Sequence, residues 1–569
     1  MAPVNPVAAS HEFSVYRMQQ YDLHTVPHGS RSSSINLEGR TLTSWSTSRH
    51  CVVARVQDIT IEQFLEVRAK AGALLLVLPE NKTLLTKEQK EHIQLLEMAM
   101  TQQEMPAPAY FMKWTPDVDF ILEDMKHSFI TDDKSRTALE AMINTVSSNG
   151  YQIGKKLNIC SAPALGFWSF VPLTEIIGPS GGCYIFPVVT APTPQMIESK
   201  AVTIHGKLVG SGSANTIIIA AHYDASSIVP DLSIGADSNA SGVVVLLELA
   251  RIFSRLYSVP TTRGSPTLMF LLTGTGHMLN YFSAKKWLED QLDATDGAIL
   301  QVSLFIIIFN LLCDVSFAMS FDAISSSPNL MMHVSKPPKS GGEAHSVQSR
   351  LGVQINHKKI NLADEHLAWQ HERFSIRRMS AFTVSSLQSH KDTSRDSILD
   401  EPSEERLQNL VENVKTIARG IASHIYNLNT TSDAELSEQA KQYDDILNVE
   451  EKSIRYWYTY LTSQSRAPQF TTTKAGAAGL PAALERALSR YLGEVVKSSH
   501  VADKREPEYT LYTPTKAMLY VYSVKPAVFD LILTVAIVAY LTVLYFAMQF
   551  FPRFYEEYAK LITGKEKVY

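Results

Sequence analysis

The sequence predicts an α/β fold with a small N-terminal α/β lobe and one C-terminal transmembrane helix. Three observations predict it. Apolar runs of strand length alternate with segments of helical spacing. One apolar run, Thr216 to Ala221, ends in His222-Tyr223-Asp224, and a loop through Gly235, Asp237 and Ser241-Gly242 then opens a helix. A sheet presents metal-binding side chains in this way, at the carboxyl ends of its strands. The stretch Leu531 to Phe551 carries no charge and is about as long as a bilayer requires.

Size and composition set the bounds. A chain of 569 residues suggests about two to four domains. The 45% hydrophobic and 19% charged residues are those of a globular protein, not a disordered one. A net charge of −5 argues against a dedicated nucleic-acid surface. Cys51, Cys160, Cys183 and Cys313 form no CxxC pair, so no zinc ribbon or thioredoxin motif is present. The first residues, MAPVNPVAASHEFSVYR, contain no apolar segment of the signal-peptide kind.

In chain order, Val52–Val56 reads as a strand and Ile61–Ala71 as an amphipathic helix that Gly72 ends. Ala73–Leu78 reads as a buried strand and Lys87–Met100 as a helix. These elements make residues 11–115 a small α/β lobe. Residues 116–428 form a larger domain. It holds the His222 stretch, a strand over Thr267–Leu272 and a helix over Ser283–Leu292. It closes with a long helix whose apolar positions are Leu407, Leu410, Val411, Val414, Ile417, Ala418, Ile421 and Ile425. Two stretches break the pattern, 155–194 and 303–315. Ser303–Phe321 contains Asn310 and Asp314, which favours a buried strand after extra sequence over a second membrane span. Residues 429–525 read as helical or linker, with Ser463–Ala482 a loop rich in Thr, Ala, Gly and Pro. Residues 526–551 are the transmembrane helix and 552–569 a short tail. Arg553, Lys560, Lys565 and Lys567 follow the span, whereas Lys516 and Lys525 precede it. That bias favours a cytosolic tail.

The stretch HYD…GADSNASG followed by a helix resembles the co-catalytic zinc aminopeptidases. The resemblance implies an HxD, a bridging Asp in a DxxSG context, a Glu-Glu pair, a later Asp and a final His. Two zinc ions need a bridging carboxylate and His or carboxylate ligands on each side. The first Glu of the pair serves as general base. Here His222 matches the first ligand and Asp224 the Asp that orients it. The bridging position falls on Ser238, with Asp237 one residue early. Asp322 is the best match for the later Asp, with Asp314 as runner-up, and His390 matches the final His. Thr275 and Gly276 stand where the Glu-Glu pair belongs. His277 lies outside the matched positions, and Glu248 lies in the helix body.

Several runs together narrow the resemblance. They include HEFSVYRMQQYDL from His11, AHYDASSIVPDLSIGADSNASG from Ala221, HKKINLADEHLAWQHERFSIRRMSAFT from His357 and VKPAVFDLIL from Val524. Jointly they resemble the nicalin family, nicastrin-related membrane proteins of the endoplasmic reticulum. The resemblance implies an M28 aminopeptidase-like mixed sheet flanked by helices, acting as a pseudo-peptidase that needs no cofactor. It implies a single-pass type I protein of the endoplasmic reticulum membrane with a luminal domain. Implied partners are nodal modulator, a small multi-pass membrane protein, the Sec translocon and membrane lipid, with no nucleic acid. The implied role is biogenesis of multi-pass membrane proteins, with a link to restraint of Nodal signalling. Asn81, Asn239 and Asn429 open N-glycosylation triplets. Two other readings stay open: an active membrane-anchored zinc aminopeptidase, and a receptor-like ectodomain that holds a peptide in the old cleft.

Overall fold

The computed structural model describes residues 11–33, 35–42, 48–129, 150–155, 193–196, 199–212, 215–293, 315–339, 341–427, 446–473, 478–524 and 527–563. The expected α/β architecture is present. Its centre is an eight-stranded mixed sheet. The strand order is Gln354–His357, Met331–Val334, Ala381–Ser385, Val315–Phe321, Thr216–His222, Thr267–Thr273, Lys200–Leu208 and Glu494–Val501. Thr216–His222 pairs in parallel with both neighbours and is buried at every position. Burial on both faces explains its unbroken apolar run.

Side chains alternate across that strand. Ile217, Ile219 and Ala221 pack against the helices Gly242–Ser258 and Glu404–Ile425. Ile218 and Ala220 pack on the other face, with Trp287 and Leu288 of the helix Phe282–Asp293 and Phe374 of His371–Ile376. The result is a three-layer sandwich. The apolar positions expected for the long closing helix are its buried ones, with Ile425 partly buried. Ser403 caps it by accepting from Arg406 N–H at 3.2 Å.

The small lobe is a closed seven-stranded barrel. Around it run His11–Arg17, Lys516–Val524, Gly150–Lys155, Asn36–Thr41, Cys51–Arg55, Ala73–Val77 and Ala109–Met112. Val118, Ile121, Leu122 and Met125 of the helix Pro116–Phe129 join its interior, against Phe13, Val53 and Leu75. The helices Ile61–Lys70 and Lys87–Thr101 cover its outer face through Phe64, Val67, Ile93 and Leu96. Thr60 with Gln63, and Thr86 with Gln89, form capping boxes at their starts. The first helix ends at Ala71 in extended backbone, one residue before the glycine expected to stop it. A four-stranded sheet of Tyr509–Leu511, Gln20–Leu23, Val26–Ser30 and Glu104–Met105 lies beside the barrel.

Residues 429–525 read from sequence as helical or linker. Their described part holds the helices Glu451–Thr462 and Leu480–Ser489, but also the strands Glu494–Val501, Tyr509–Leu511 and Lys516–Val524. One of those strands enters each of the three sheets. Ser463–Ala482 is not a free loop: Arg466, Gln469, Thr471 and Thr472 within it are buried. Among its described residues, Pro468–Thr471 forms a short helical turn, and Ser465 and Arg466 bond to backbone carbonyls of the loops around 223–235. Of the irregular stretches, Lys155 ends a barrel strand and Val315 begins a sheet strand. Residues 156–192 and 303–314 lie outside the described residues, with Cys160, Cys183, Cys313 and Asp314 among them. Cys51 is a free, buried thiol.

One helix, Ala527–Thr563, follows the last barrel strand after two residues. Within it, the most apolar 18-residue window of Leu531–Ala559 has a mean hydropathy of 2.4 and is wholly unburied. At about 1.5 Å per residue the segment is longer than a hydrocarbon core of roughly 30 Å. The helix continues through Pro552, beyond the expected end at 551.

Candidate functional site

The central strand ends at His222, and the loops beyond that edge build the site. His222 is buried, with its ring edge-on to Tyr281 at 5.7 Å. Burial lowers its pKa. Asn239 anchors the loop ahead of the helix Gly242–Ser258. Its amide donates to His222 O at 3.1 Å and Phe321 O at 2.8 Å, and its carbonyl accepts from Gly242 N–H at 3.0 Å. Asn239 is 0% exposed. This corrects the expectation of a glycan at Asn239, since no sugar can be attached to an amide enclosed in this way. Gly235 starts the same loop at φ 61°, where its missing β-carbon avoids a 2.4 Å contact with Ala225.

Asp322 and Ser238, matched to the later Asp and the bridging position, do meet. The Ser238 hydroxyl donates to Asp322 Oδ1 at 3.0 Å. The other carboxylate oxygen of Asp322 is taken by the guanidinium of Arg395. Asp237 turns elsewhere. Its carboxylate accepts from Ser325 N–H at 2.6 Å and the Ser325 hydroxyl at 2.8 Å. Its own N–H donates to Asp400, as does that of Ser238. The loop shift that would let Asp237 bridge two metals has not occurred, because Asp400 holds the loop from below.

Asp224 does not orient His222. Its Oδ2 accepts from Gly276 N–H at 2.7 Å, and its Oδ1 is buried with no hydrogen-bond partner among the described residues. Burial pushes this carboxyl up to about 7. Thr275 serves the helix Phe282–Asp293: its hydroxyl accepts from Ser283 N–H at 2.7 Å. Gly276 lies against His222. His277 pairs through Nδ1 with Asp396 Oδ2 at 3.0 Å. Glu248 is bound by Arg251 and by Glu450 N–H. His390 sits half-buried in the turn after the strand Ala381–Ser385. Burial, then the charges of Lys358 and Arg395, lower its imidazole to about 4. Asn81 is exposed, with Oδ1 accepting from Thr83 N–H at 2.9 Å and the Thr83 hydroxyl at 2.6 Å. Asn429 lies outside the described residues.

This donor set does not fit a two-zinc centre. The bridging position is a serine, Asp322 is engaged on both oxygens, and Asp237 is turned away. Among the described residues no three His, Cys, Asp or Glu side chains converge as metal ligands. Sequence reading missed the two arginines that organise the site. Arg395 comes from a run of charges, and Arg466 from the supposed linker. Arg466 is 1% exposed and donates to Tyr223 O at 2.6 Å, Ile234 O at 2.9 Å and Gly235 O at 2.6 Å. Burial pushes its guanidinium down to about 10. The one available signal was that Arg466 is the only charge between Arg455 and Lys474.

The family model for peptidase family M28 matches residues 203–275. The chain is 37% identical to "BOS complex subunit ncln" of Danio rerio, over 96% of this chain and 92% of that one. It is 35% identical to "BOS complex subunit NCLN" of Homo sapiens, over 99% and 93%. It is 26% identical to "Nicalin" of Caenorhabditis elegans, over 94% and 89%.

Proposed function

The chain belongs to the nicalin family, whose relatives carry the name BOS complex subunit NCLN, and from that premise we propose that it is a membrane-anchored, non-catalytic subunit of such a complex. The M28-like domain acts as scaffold. One observation carries the non-catalytic part. Where the zinc aminopeptidases place two carboxylates, Thr275 caps a helix and Gly276 packs on His222. Without a base in that turn a water nucleophile is not activated, a loss of typically about 10²–10⁴ in rate.

The finer reading follows the family resemblance. The apolar helix Leu531–Ala559 anchors the chain in the endoplasmic reticulum membrane as a single-pass type I protein with a luminal domain. The partners are nodal modulator and a small multi-pass membrane protein, beside the Sec translocon. The assembly assists biogenesis of multi-pass membrane proteins and restrains Nodal signalling. The exposed Asn81 triplet supports a luminal placement.

Affinity purification of the tagged full chain from endoplasmic reticulum membranes tests this. Co-recovery of those partners, with no bound zinc and no aminopeptidase turnover, is the expected result. Stoichiometric zinc with turnover that vanishes in His222→Ala would overturn the non-catalytic part. Absence of all three partners would overturn the assembly.

A further inference from the structure

Between the strand Ala381–Ser385 and the helix Glu404–Ile425 the chain has no regular structure. Yet Arg395, Ser397, Ile398 and Asp400 are buried. A buried loop must satisfy its polar groups with specific partners, and here the partners lie on two sides. We propose that Arg395 is the resident cation of the former metal cleft, and that its pairing with Asp322 seats residues 395–401 as a strap locking the small lobe to the sheet domain. This rests on the non-catalytic reading above.

The cleft side is built on charge. Asp322 and Arg395 are each 2% exposed. A carboxylate so enclosed requires a counter-charge, and a metal is the usual one in the family that this site resembles. Here the guanidinium supplies it. Arg395 Nη2 reaches Asp322 and donates to the Tyr281 hydroxyl at 2.7 Å, while Nη1 donates to Ala368 O at 2.8 Å. The guanidinium also lies 4.6 Å from the centre of the Trp369 ring, in cation–π range. The planar fork and the stacking surface suit arginine, not lysine. Arg395 thus holds the position that a cation would need, while Ser238 covers the other oxygen of Asp322.

The following residues alternate between cleft and lobe. Asp396 accepts from Ser226 at 2.6 Å and pairs with His277. The Ser397 hydroxyl and the Ile398 N–H both donate to Glu97 of the lobe helix Lys87–Thr101. The Ile398 side chain enters the lobe cluster of Phe64 and Leu96. Lys82 donates to Ile398 O at 3.0 Å and to Glu401. Asp400 returns to the cleft loop at Asp237 and Ser238.

A double-mutant cycle on the full chain in detergent tests the proposal, with Arg395→Gln, Asp322→Asn and the pair. Thermal midpoints and amide exchange of Ser397–Asp400 are read. Each single change leaves one buried charge alone and is strongly destabilising; neutralising both removes that penalty. The singles should lower the midpoint by several degrees and speed strap exchange by at least about tenfold, and the double should recover most of both. Arg395→Lys should keep the midpoint closer to wild type, yet still loosen the strap. If neither single variant folds, a double variant that does fold supports the pairing equally, and one that does not fold overturns it. Additive losses, or strap exchange unmoved by Arg395→Gln, would overturn the role of Arg395. Zinc bound to the wild-type chain would overturn the non-catalytic reading instead.

Discussion

A β-carbon on Gly276 would lie 2.5 Å from Cδ2 of His222 and 3.1 Å from Oδ1 of Asp224. The turn of Thr275 and Gly276 therefore lies directly against the His222 ring. Glycine permits that contact, and no other residue does without movement of a strand end.

Restoring the carboxylate should not restore an enzyme. Gly276→Glu forces atoms into His222 and places a charge beside the buried Asp224. Overpacking alone costs about 1–3 kcal/mol. The expected outcome is a lower urea midpoint and no rise in the thermal midpoint on adding zinc. Zinc-dependent stabilisation of this variant would show that the cleft can reopen.

The strap carries a pH dependence through Glu97. Burial pushes its carboxyl from 4.5 up to about 7. The folded state therefore binds this proton more tightly than the unfolded chain. The resulting stability is fully present below about pH 4.5 and is lost as pH rises through about 7. Glu97→Gln lacks this term. Its deficit relative to wild type should shrink by about 2–3 kcal/mol between pH 5 and pH 8. Urea titrations of both proteins at pH 5, 6.5 and 8 check this, and a constant gap would contradict it.

Glycan occupancy should separate the exposed triplet from the buried one. Asn81→Gln should abolish one glycosidase-sensitive mobility shift of the membrane-inserted chain. Asn239→Gln should leave the number of glycans unchanged while lowering stability, because three hydrogen bonds are perturbed. Retention of every glycan in Asn81→Gln would reject that site.

Arg466→Met should cost about 2–5 kcal/mol, since it removes the guanidinium donor from the carbonyls of Tyr223 and Ile234 and leaves Gly235 O with only Ala240 N–H. Lysine at 466 should recover only part, because one ammonium cannot span acceptors on three residues. Urea midpoints measure both. A methionine variant as stable as wild type would mean that water replaces the guanidinium at no cost.

Much of the sheet domain was legible from local signals. The doubly buried strand Thr216–His222 declares itself by an apolar run, and the helix Glu404–Ile425 by its spacing and its Ser403 cap. Motif spacing also pointed to His222, Ser238 and Asp322, and the structure places His222 at the end of the central strand and joins Ser238 to Asp322. The strap was not. Asp392 to Glu405 is rich in charge and has no helical or strand period, and the burial of Arg395, Ser397, Ile398 and Asp400 within it comes from tertiary partners. The partner of Ser397 is Glu97, 300 residues earlier. Barrel closure was illegible for the same reason, because alternation in Lys516–Val524 names no partner strand. Local patterns report burial and period; they do not report which distant group supplies a counter-charge or an edge.

Ser14 and Met518 stand opposite each other in the barrel, 504 residues apart in sequence. At roughly 5–20 residues per second, ribosomes make them about 25–100 s apart. Throughout that interval the strand His11–Arg17 presents an open edge, a surface that chaperones and other strands can bind. The strand that seals it is also the last one before the apolar helix Ala527–Thr563. Barrel closure thus waits for nearly the whole chain, and a product truncated before Lys516 keeps an unpaired backbone edge along His11–Arg17.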